Sequence, residues 1–345
     1  MAQGTPGFRA DLDAGRYLKV LGEAEARLRT VPGDPQAWAA KSQALSALVR
    51  LDEALGAAER SLQLQPGNAD GLLARGLARA GRAVQQRDFG SFGLVRGAMG
   101  DLQGAVKADG SLVSGWTALG LAYQQLPGLL GGSTRKALAC AEALRKVNGP
   151  RGDLLAGTIL AYEKKLAAAE PYLRRAIQAG WQDGQVVYGY LEVLGSREVR
   201  EQLGEGGQNQ RLAAEAARLH PLVRGQARAL QAVSDAYLDA DQPEQAWKVA
   251  KEGLPGCDAP SLLRFQLGKI AARAGIHREE GLAALDAALK EPLEGGVGGP
   301  QAVHWRRAQV LRSLGRTPEA RQAAQQALAL DPQHSGARRL LAERS

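Results

Sequence analysis

Residues 116–123 of the chain read WTALGLAY, and this stretch decides the fold. It combines the large residues Trp116, Leu119 and Tyr123 with small ones such as Gly120, as in a helix that crosses a second helix closely. The small residues lie at the crossing, and the large residues fill the gaps between neighbouring helix pairs. The stretch therefore predicts the first helix of a packed helix pair.

Similar grids of small and large residues recur along the chain. In the C-terminal copy the small residues are followed by Pro332, which lacks an N–H donor and stops the second helix. A single pair cannot bury its apolar faces alone, so several pairs must stack. The recurring positions are Ala308, Ala320, Ala324 and Ala327 in this copy, Trp38, Ser42, Leu45, Ala54, Ala58, Ser61 and Pro66 near the N-terminus, and Leu230, Val233, Ser234, Tyr237, Ala246, Ala250 and Gly253 between them.

The stretch 116–123 resembles the first half of the tetratricopeptide repeat, whose pattern is W-x-x-L-G-x-x-Y. Residues 53–66 and 319–332 resemble its second half, because each begins with Glu-Ala and ends in Pro. The resemblance implies an all-α fold, a right-handed α-α superhelical solenoid of about eight helix pairs with about 34 residues in each. The expected pairs are centred on residues 35–68, 69–110, 113–149, 152–180, 181–221, 227–258, 259–292 and 301–333.

The same patterns divide the chain into segments. Two stretches are rich in Gly or Pro and cannot sustain a helix interior, so we predict them as loops, at residues 195–210 and 291–300. The other expected segments are a leading helix or helix pair at 1–34, an N-terminal array at 35–194, degenerate and regular units at 211–290, and the last repeat with a capping helix at 301–345.

Two insertions interrupt helix pairs of the N-terminal array, at about residues 83–97 and 125–133. Their glycines, and Pro127 in the second, cannot continue a helix. We therefore expect two intra-repeat loops on one edge of the array, and the leucines of the second loop predict that it folds back onto the array. The candidate contact residues of these loops are Phe89, Phe92, Leu129 and Leu130.

The second insertion reads LPGLLGGS at residues 126–133 and resembles one in exported bacterial tetratricopeptide proteins. These include periplasmic proteins associated with TRAP-type transporters. The resemblance covers residues 113–150 and implies a periplasmic protein from which a signal peptide has been removed; a packing role for the insertion is the alternative. As written, the sequence predicts a cytoplasmic protein, because residues 1–22 contain no uninterrupted apolar core. The compartment stays open.

The composition is that of a folded helical protein, with 45% hydrophobic, 23% charged and 5% aromatic residues in a chain of 345. No run of about 20 apolar residues occurs, so no membrane-spanning helix is predicted. The net charge of +8 comes from 44 Lys and Arg against 36 Asp and Glu. These charges are spread along the chain, which favours solvated helix faces over a nucleic-acid interface.

No catalytic or phosphate-binding motif such as G-x-S-x-G, H-E-x-x-H or G-x-x-x-x-G-K-[ST] occurs in the sequence. Cys140 and Cys257 are far apart, and the four histidines are scattered without metal-ligand spacing. Cys140 lies among small residues of a predicted second helix, which favours a packing role over a nucleophilic one. We therefore predict a protein that is not an enzyme, with no catalytic residue, metal site or cofactor.

Stacked helix pairs curve so that their first helices line a long concave face. This face predicts a groove for a partner protein or extended peptide. Because Arg and Gln prevail there, we expect an acidic or polar peptide held by charge-assisted hydrogen bonds. The predicted partner-binding residues are Gln43, Leu73, Leu77, Thr117, Gln124, Arg228, Gln231, Trp305, Gln309 and Arg312.

Trp305 follows His304 in the last repeat, and two registers are open for this pair. In the first, His304 takes the buried aromatic position and Trp305 faces the groove, where Trp beside Arg is a common binding hot spot. In the second, a slip of one residue buries Trp305 and exposes His304.

These observations predict a non-enzymatic scaffold that binds a partner protein along the concave face. One alternative is a periplasmic transporter-accessory or small-ligand-binding protein, with a cavity between the insertions and the inner helices. A second is a basic, nucleic-acid-associated solenoid, whose affinity would fall steeply with salt. The sequence fixes neither the partner nor the oligomeric state.

Overall fold

The computed structural model describes residues 7–86 and 91–343, which form nineteen α-helices and two short 3-10 turns and contain no strand. The predicted all-α fold of stacked helix pairs is therefore confirmed. The α-helices are α1 (Phe8–Asp13), α2 (Tyr17–Thr30), α3 (Pro35–Ala47), α4 (Leu51–Leu64), α5 (Ala69–Gln86), α6 (Ser91–Ala108), α7 (Val113–Gln125), α8 (Thr134–Val147), α9 (Gly149–Tyr162), α10 (Leu166–Gly180), α11 (Gly184–Leu194), α12 (Arg197–Leu219), α13 (Ala227–Asp239), α14 (Pro243–Gly253), α15 (Pro260–Ala274), α16 (Arg278–Ala288), α17 (Pro300–Ser313), α18 (Thr317–Leu330) and α19 (Ser335–Ala342).

The chain divides into two compact units, with the boundary between Gly180 and Trp181. Unit 1 contains α1–α10, and unit 2 contains α11–α19. The first helices of the pairs are α3, α5, α7 and α9 in unit 1 and α11, α13, α15 and α17 in unit 2. Within unit 1, α3 packs on α5 and α7 packs on α9; within unit 2, all four first helices pack in sequence.

In four pairs, the first and second helices are joined by a turn of the same form. Three residues separate the helices, and the middle residue has a positive φ: Val49 (64°), Lys164 (59°), Asp241 (58°) and Gly315 (75°). Only Gly adopts this conformation without a steric cost, so the three side-chain-bearing residues are held there by the surrounding packing.

Side-chain caps fix several helix starts. The carboxylate of Asp34 accepts hydrogen bonds from the backbone N–H groups of Gln36 and Ala37 at 2.9 and 3.2 Å, and Pro35 occupies the first helical position of α3. Asp183 caps α11 in the same way. Such caps satisfy N–H groups that have no partner inside the helix.

Small residues bring the helices of a pair together. A Cβ added to Gly120 would lie 2.8 Å from Leu155 Cδ2 and 3.3 Å from Cys140 Cβ, so only glycine fits this crossing without displacing a neighbour. At matching positions of two other pairs, the buried Ser42 and Ser234 hydroxyls donate to second-helix carbonyl groups, Ser42 to Ala54 and Ser234 to Ala246.

The prediction of a loop at residues 195–210 is wrong. Helix α12 begins at Arg197 and continues to Leu219, with a kink at Gly204, whose φ of 72° and ψ of 163° are not helical. The Gln208 side chain is 1% exposed, and its amide donates to the carbonyl groups of Leu194 and Ser196 at 2.8 Å. One glycine thus bends the helix, and one buried amide ties the bend to α11.

The two predicted insertions differ in outcome. At 83–97, the described residues extend α5 to Gln86 and begin α6 at Ser91, so the extra length lengthens two helices rather than forming a long loop. At 125–133, a short 3-10 turn over Gly128–Leu130 joins α7 to α8. The side chain of Leu129 is fully exposed, so the prediction that this leucine folds back onto the array is wrong.

The segment between α16 and α17 is not helical. Gly296, Gly298 and Gly299 have positive φ values, which are not those of a regular helix. Val297 within it is 2% exposed. The segment, residues 289–299, is therefore a packed loop, and we call it the unit 2 loop.

Candidate functional site

In unit 1, the short helix α1 lies across the starts of several first helices. Arg9 of α1 makes two parallel hydrogen bonds to Asp70 at the start of α5, Nε to Oδ1 at 2.9 Å and Nη2 to Oδ2 at 2.7 Å. Its Nη1 also pairs with Asp109 Oδ2 at 2.8 Å. These carboxylates, with the bonds to Asp70 first, raise the pKa of Arg9. One guanidinium thus bridges two elements of the array.

Apolar side chains anchor the same helix. Phe8 and Leu12, one helical turn apart, are 5% and 8% exposed and join a core cluster with Ala37, Ala40 and Ala44 of α3. Complete burial of such side chains is worth about 2 kcal/mol each. The apolar contacts therefore hold α1 against α3, and the ionic contacts set its register.

The C-terminal end of α1 is held by two further first helices. Ser114 Oγ of α7 donates to Asp13 Oδ1 at 2.5 Å. Arg151 of α9 donates to the backbone carbonyl group of Asp13, and its Nη1 lies 3.9 Å from the Asp13 carboxylate. Contacts to α1 thus come from α3, α5, α7 and α9, and we call this surface the unit 1 face.

A pocket of about 280 Å³ opens beside α1. Its size suits one or two side chains or a small molecule. Its walls combine the apolar side of α1 with polar groups of α3 and α5. The lining residues are Gly7, Phe8, Arg9, Leu12, Gln36, Ala40, Gln43 and Asp70.

The residues predicted as partner-binding in unit 1 lie at different depths. Gln43 lines the pocket but is 7% exposed, and Leu73 is 1% exposed within the core. Leu77 packs half-buried against that core. Thr117 is half-buried and its hydroxyl donates to the Val113 carbonyl group, while Gln124 keeps a buried Oε1 without a hydrogen-bond donor. The expectation that Leu73 is accessible is therefore wrong, because neighbouring helices cover it.

The predicted contact residues of the insertions are not brought together around a cavity. Phe92 is 49% exposed, Leu129 is fully exposed and Leu130 is half-buried. The pocket of unit 1 is lined by none of the three. Phe89 lies outside the described residues.

In unit 2, the unit 2 loop covers part of the first-helix surface. The guanidinium of Arg228 lies 3.5 Å from the centroid of the Tyr188 ring, and its Nη1 donates to Gln231 Oε1 at 3.0 Å. A Cβ on Gly296 would lie 2.2 Å from Arg228 Nη1, and the backbone N–H of Glu294 donates to Ser261 Oγ at 3.1 Å. Arg228 is therefore packed between an aromatic ring and the loop.

The surface formed by α11, α13, α15 and α17, which we call the unit 2 face, carries closely paired charges that the sequence patterns did not single out. Asp235 Oδ1 accepts from Gln266 Nε2 at 2.6 Å and from Lys269 Nζ at 2.7 Å. Arg273 pairs with Asp239 at 2.9 Å, and burial lowers the pKa of Arg306. These groups come from successive first helices and meet only when the helices stack.

At the last repeat, neither of the two open registers holds in full. Trp305 and His304 are both half-buried. The Trp305 ring packs on Gly336 of α19 and lies 5.1 Å from the His334 ring, while burial lowers the pKa of His304. The reason is that α19 covers Trp305, which a count along one helix cannot reveal.

The other predicted residues of unit 2 make ordinary surface or packing contacts. Gln231 is 4% exposed. Gln309 accepts a hydrogen bond from Arg306 at 2.9 Å, and Arg312 pairs with Glu343 at 2.7 Å. Arg228 and Arg312 thus both have partners already.

Within the part of the chain that the structure describes, no cluster of three or more metal-ligating side chains occurs. Burial raises the pKa of the Cys140 thiol to about 11, and it also raises that of Cys257. Such thiols are poor nucleophiles at neutral pH. None of the described helices has the length and apolar character needed to span a membrane.

Comparison with known proteins supports the repeat assignment. A sequence profile described as tetratricopeptide repeat matches residues 301–334, which span α17 and α18. The predicted resemblance to this family is therefore confirmed for the last repeat. No curated protein matches the chain.

Solved structures with similar folds share little sequence with this chain. Yeast Tom70 gives a TM-score of 0.47 at 13% identity over 96% of this chain and 78% of its own. A tetratricopeptide repeat protein from Parabacteroides merdae gives 0.42 at 13% identity, over 88% and 96%. A chain of the Cut9–Hcn1 hetero-tetramer of APC/C gives 0.44 at 13% identity over 95% of this chain. Our chain spans only about half of that one, 52%.

Proposed function

We propose that the chain is a non-enzymatic interaction scaffold that binds a segment of a partner protein on the first helices of its pairs. The observation that carries the proposal is the unit 1 face, on which four successive first helices hold the short helix α1. Apolar pockets with fixed charges at their rims are the usual means of holding a helical or extended segment. A face that seats one such segment has the chemistry to seat another.

The unit 2 face supports the same proposal through different chemistry. Lys269, Arg273 and Arg306 stand on two first helices, where Lys269 pairs with Asp235 and Arg273 pairs with Asp239. An acidic segment would add the missing negative charge through charge-assisted hydrogen bonds. The acidic partner is thus proposed for the unit 2 face.

A small-ligand function has less support. It requires a cavity between the insertions and the first helices, whereas the pocket of about 280 Å³ is lined by α1, α3 and α5. We therefore keep the protein partner as the proposal and treat small ligands and nucleic acid as outcomes of the test.

The test is affinity capture from the source cells at about 150 mM salt, with protein and nucleic acid both quantified. Two full-length variants are compared with the wild type. Arg273→Glu changes the unit 2 face, and Lys251→Glu changes a second helix of the same unit. Each loses one solvent-exposed ion pair, Arg273 with Asp239 and Lys251 with Glu280, so their effects on folding are matched.

We expect Arg273→Glu to weaken binding of the captured protein about tenfold and Lys251→Glu to leave it unchanged. Equal binding by the two variants would contradict the proposal. So would recovery of nucleic acid alone with a steep dependence on salt.

A further inference from the structure

We infer that α1 is an intrachain ligand of the unit 1 face, and that this face selects a partner segment bearing an Arg flanked by apolar residues. The inference rests on the proposed function and specifies both the chemistry of the partner and the segment it must displace. In α1 the corresponding residues are Phe8 and Arg9 and, one turn later, Leu12 and Asp13.

Helix α1 makes contacts far along the chain. Two of its six residues bond to elements far away in sequence: Arg9 bonds to Asp70, 61 positions on, and the Asp13 carbonyl group accepts a hydrogen bond from Arg151, 138 positions on. A helix that merely starts the array would pack on its neighbours in sequence. Helix α1 packs on α2 and α3 in this way, but its side chains also bond to α5, α7 and α9, as those of a bound segment do.

The two carboxylates bound by Arg9 favour an arginine in any segment that replaces α1. The Asp70 carboxylate is only 8% exposed, and that of Asp109 is 28% exposed. If α1 left without replacement, the Asp70 carboxylate would lose the cation that donates two hydrogen bonds to it, which is unfavourable. Two carboxylates at the two sides of one guanidinium match the planar fork of Arg, whereas the ammonium of Lys is a single point charge.

The contacts of α1 are accessible to a competing segment. The Arg9 side chain is 46% exposed although both of its partners are more buried, so a competing guanidinium can reach the carboxylates stepwise. The open pocket beside Phe8 gives a competing apolar side chain a place to enter first. Asp11 also bonds to Arg16 and Lys19 across the link to α2, and these partly exposed bonds break when α1 leaves the face.

The turn after α1 permits such a movement. Gly15 stands in the middle of the link between α1 and α2 with a φ of 79°, a conformation that suits glycine. Rotation there would lift α1 while α2 stays packed through Val20 and Ala24, which are fully buried. The partner therefore competes with α1 alone and not with unit 1 as a whole.

The experiment measures binding of a fluorescent synthetic peptide, residues 7–14 (GFRADLDA), to full-length chains by anisotropy. The chains are the wild type, Arg9→Glu, Arg9→Lys and Arg60→Glu. In Arg9→Glu the substituted side chain repels both carboxylates and vacates the face. Arg60 is exposed on the second helix α4, so Arg60→Glu repeats the charge change away from the unit 1 face. Circular dichroism verifies that each variant is folded.

We expect the Arg9→Glu chain to bind the peptide about tenfold more tightly than the wild type or Arg60→Glu, with Arg9→Lys between them. A peptide with Lys in place of its Arg should bind the Arg9→Glu chain about tenfold more weakly. A peptide with Glu at that position should not bind. If Arg9→Glu proves unfolded, Phe8→Ala, which leaves both carboxylates paired, takes its place with the same expectation.

Folded variants that bind the peptide no better than the wild type would overturn the inference, because α1 would then be a fixed part of the core. Equal binding of the Arg and Lys peptides would overturn the arginine selectivity. Neither result touches the capture experiment with Arg273→Glu, so failure here and failure of the proposed function can be told apart.

Discussion

The two units cover their first helices with different kinds of segment. In unit 1 the cover is α1, a helix that precedes the stacked pairs and is held by Arg9, Asp13 and two apolar side chains. In unit 2 the cover is the loop of residues 289–299, which connects two helices of the stack and buries Val297. Similar surfaces are thus covered by a separable helix in unit 1 and by a loop that is part of the stack in unit 2.

This difference shows that segments outside the repeat pattern decide whether a first-helix surface is accessible. The repeat places side chains such as Gln43 and Arg228 on corresponding helices. Whether they meet solvent depends on Phe8 and Arg9 in one unit and on Gly296 in the other. Substitutions that disturb each cover separately test this difference between the units.

The largest effect is expected from Leu73→Ala in unit 1. This side chain is 1% exposed among core residues, and its truncation should cost about 3 kcal/mol of folding free energy. Leu77→Ala, at a half-buried position of the same helix, should cost about 1 kcal/mol. Chemical denaturation and, separately, hydrogen exchange would measure the loss of folding free energy in both variants. Equal effects would mean that Leu73 is a surface residue after all.

The next effect is expected from Gly296→Ala in the unit 2 loop. Gly296 has a φ of 101°, and an added Cβ would lie 2.2 Å from Arg228 Nη1. The loss should be about 2 kcal/mol, from the backbone strain and the displaced guanidinium together. Gly298→Ala is the matched control, because its φ is 83° but its Cβ would be an ordinary 3.5 Å from Ala302. If the two variants melt alike, the loop does not pack on Arg228.

A smaller effect on the contacts of α1 is expected when the pH is lowered. Hydrogen bonds from Ser111, and then from Arg9, lower the pKa of Asp109 in the folded chain. The stabilisation from this carboxylate is present above its unfolded pKa of about 3.9 and is lost as the pH falls through the lower folded value. Amide NMR shifts of residues 10–16 should therefore report release of α1 below about pH 4. Asp109→Asn should weaken this pH dependence, and an unchanged profile would exclude Asp109 from the contact.

The smallest effect is expected in the reaction rates of the two thiols, one in each unit. Cys140 is 4% exposed, and burial raises its pKa to about 11; Cys257 is half-buried. In the native chain at pH 8 we expect Cys257 to react with a disulfide reagent about tenfold faster than Cys140. The variants Cys140→Ser and Cys257→Ser show which thiol gives the fast phase of the reaction and which gives the slow phase. Faster reaction of Cys140 would show that the α7–α8 crossing opens readily.

The fold could be predicted from sequence because its determinants are local. The pattern at residues 116–123 places Gly120 where Leu155 and Cys140 approach closely, and a tetratricopeptide-like grid already implies such crossings. The kinked helix α12 could not be predicted in this way. Its glycines argue against a helix, and the buried contacts of Gln208 that offset them are visible only after folding.

The candidate site was less predictable for a related reason. The sequence predicted a binding face on the first helices but treated residues 8–34 only as a leading element. The bonds of Arg9 to Asp70 and of Asp13 to Arg151 join positions far apart in the chain, and no spacing rule connects them. The signal that could have drawn attention was the pattern of Phe8, Arg9 and Leu12, an apolar pair around a cation before the first repeat.

Hydrogen exchange of residues 10–16 in the full-length chain tests the central claim most directly, namely that α1 is a separable occupant of the unit 1 face. The backbone N–H groups of Ala14, Gly15 and Arg16 are hydrogen-bonded to carbonyl groups of α1, so they report its state. If α1 is separable, Arg9→Glu should speed their exchange about tenfold and leave the exchange rates in α3 and α4 unchanged. Unchanged exchange at residues 10–16, or faster exchange throughout unit 1, would contradict it.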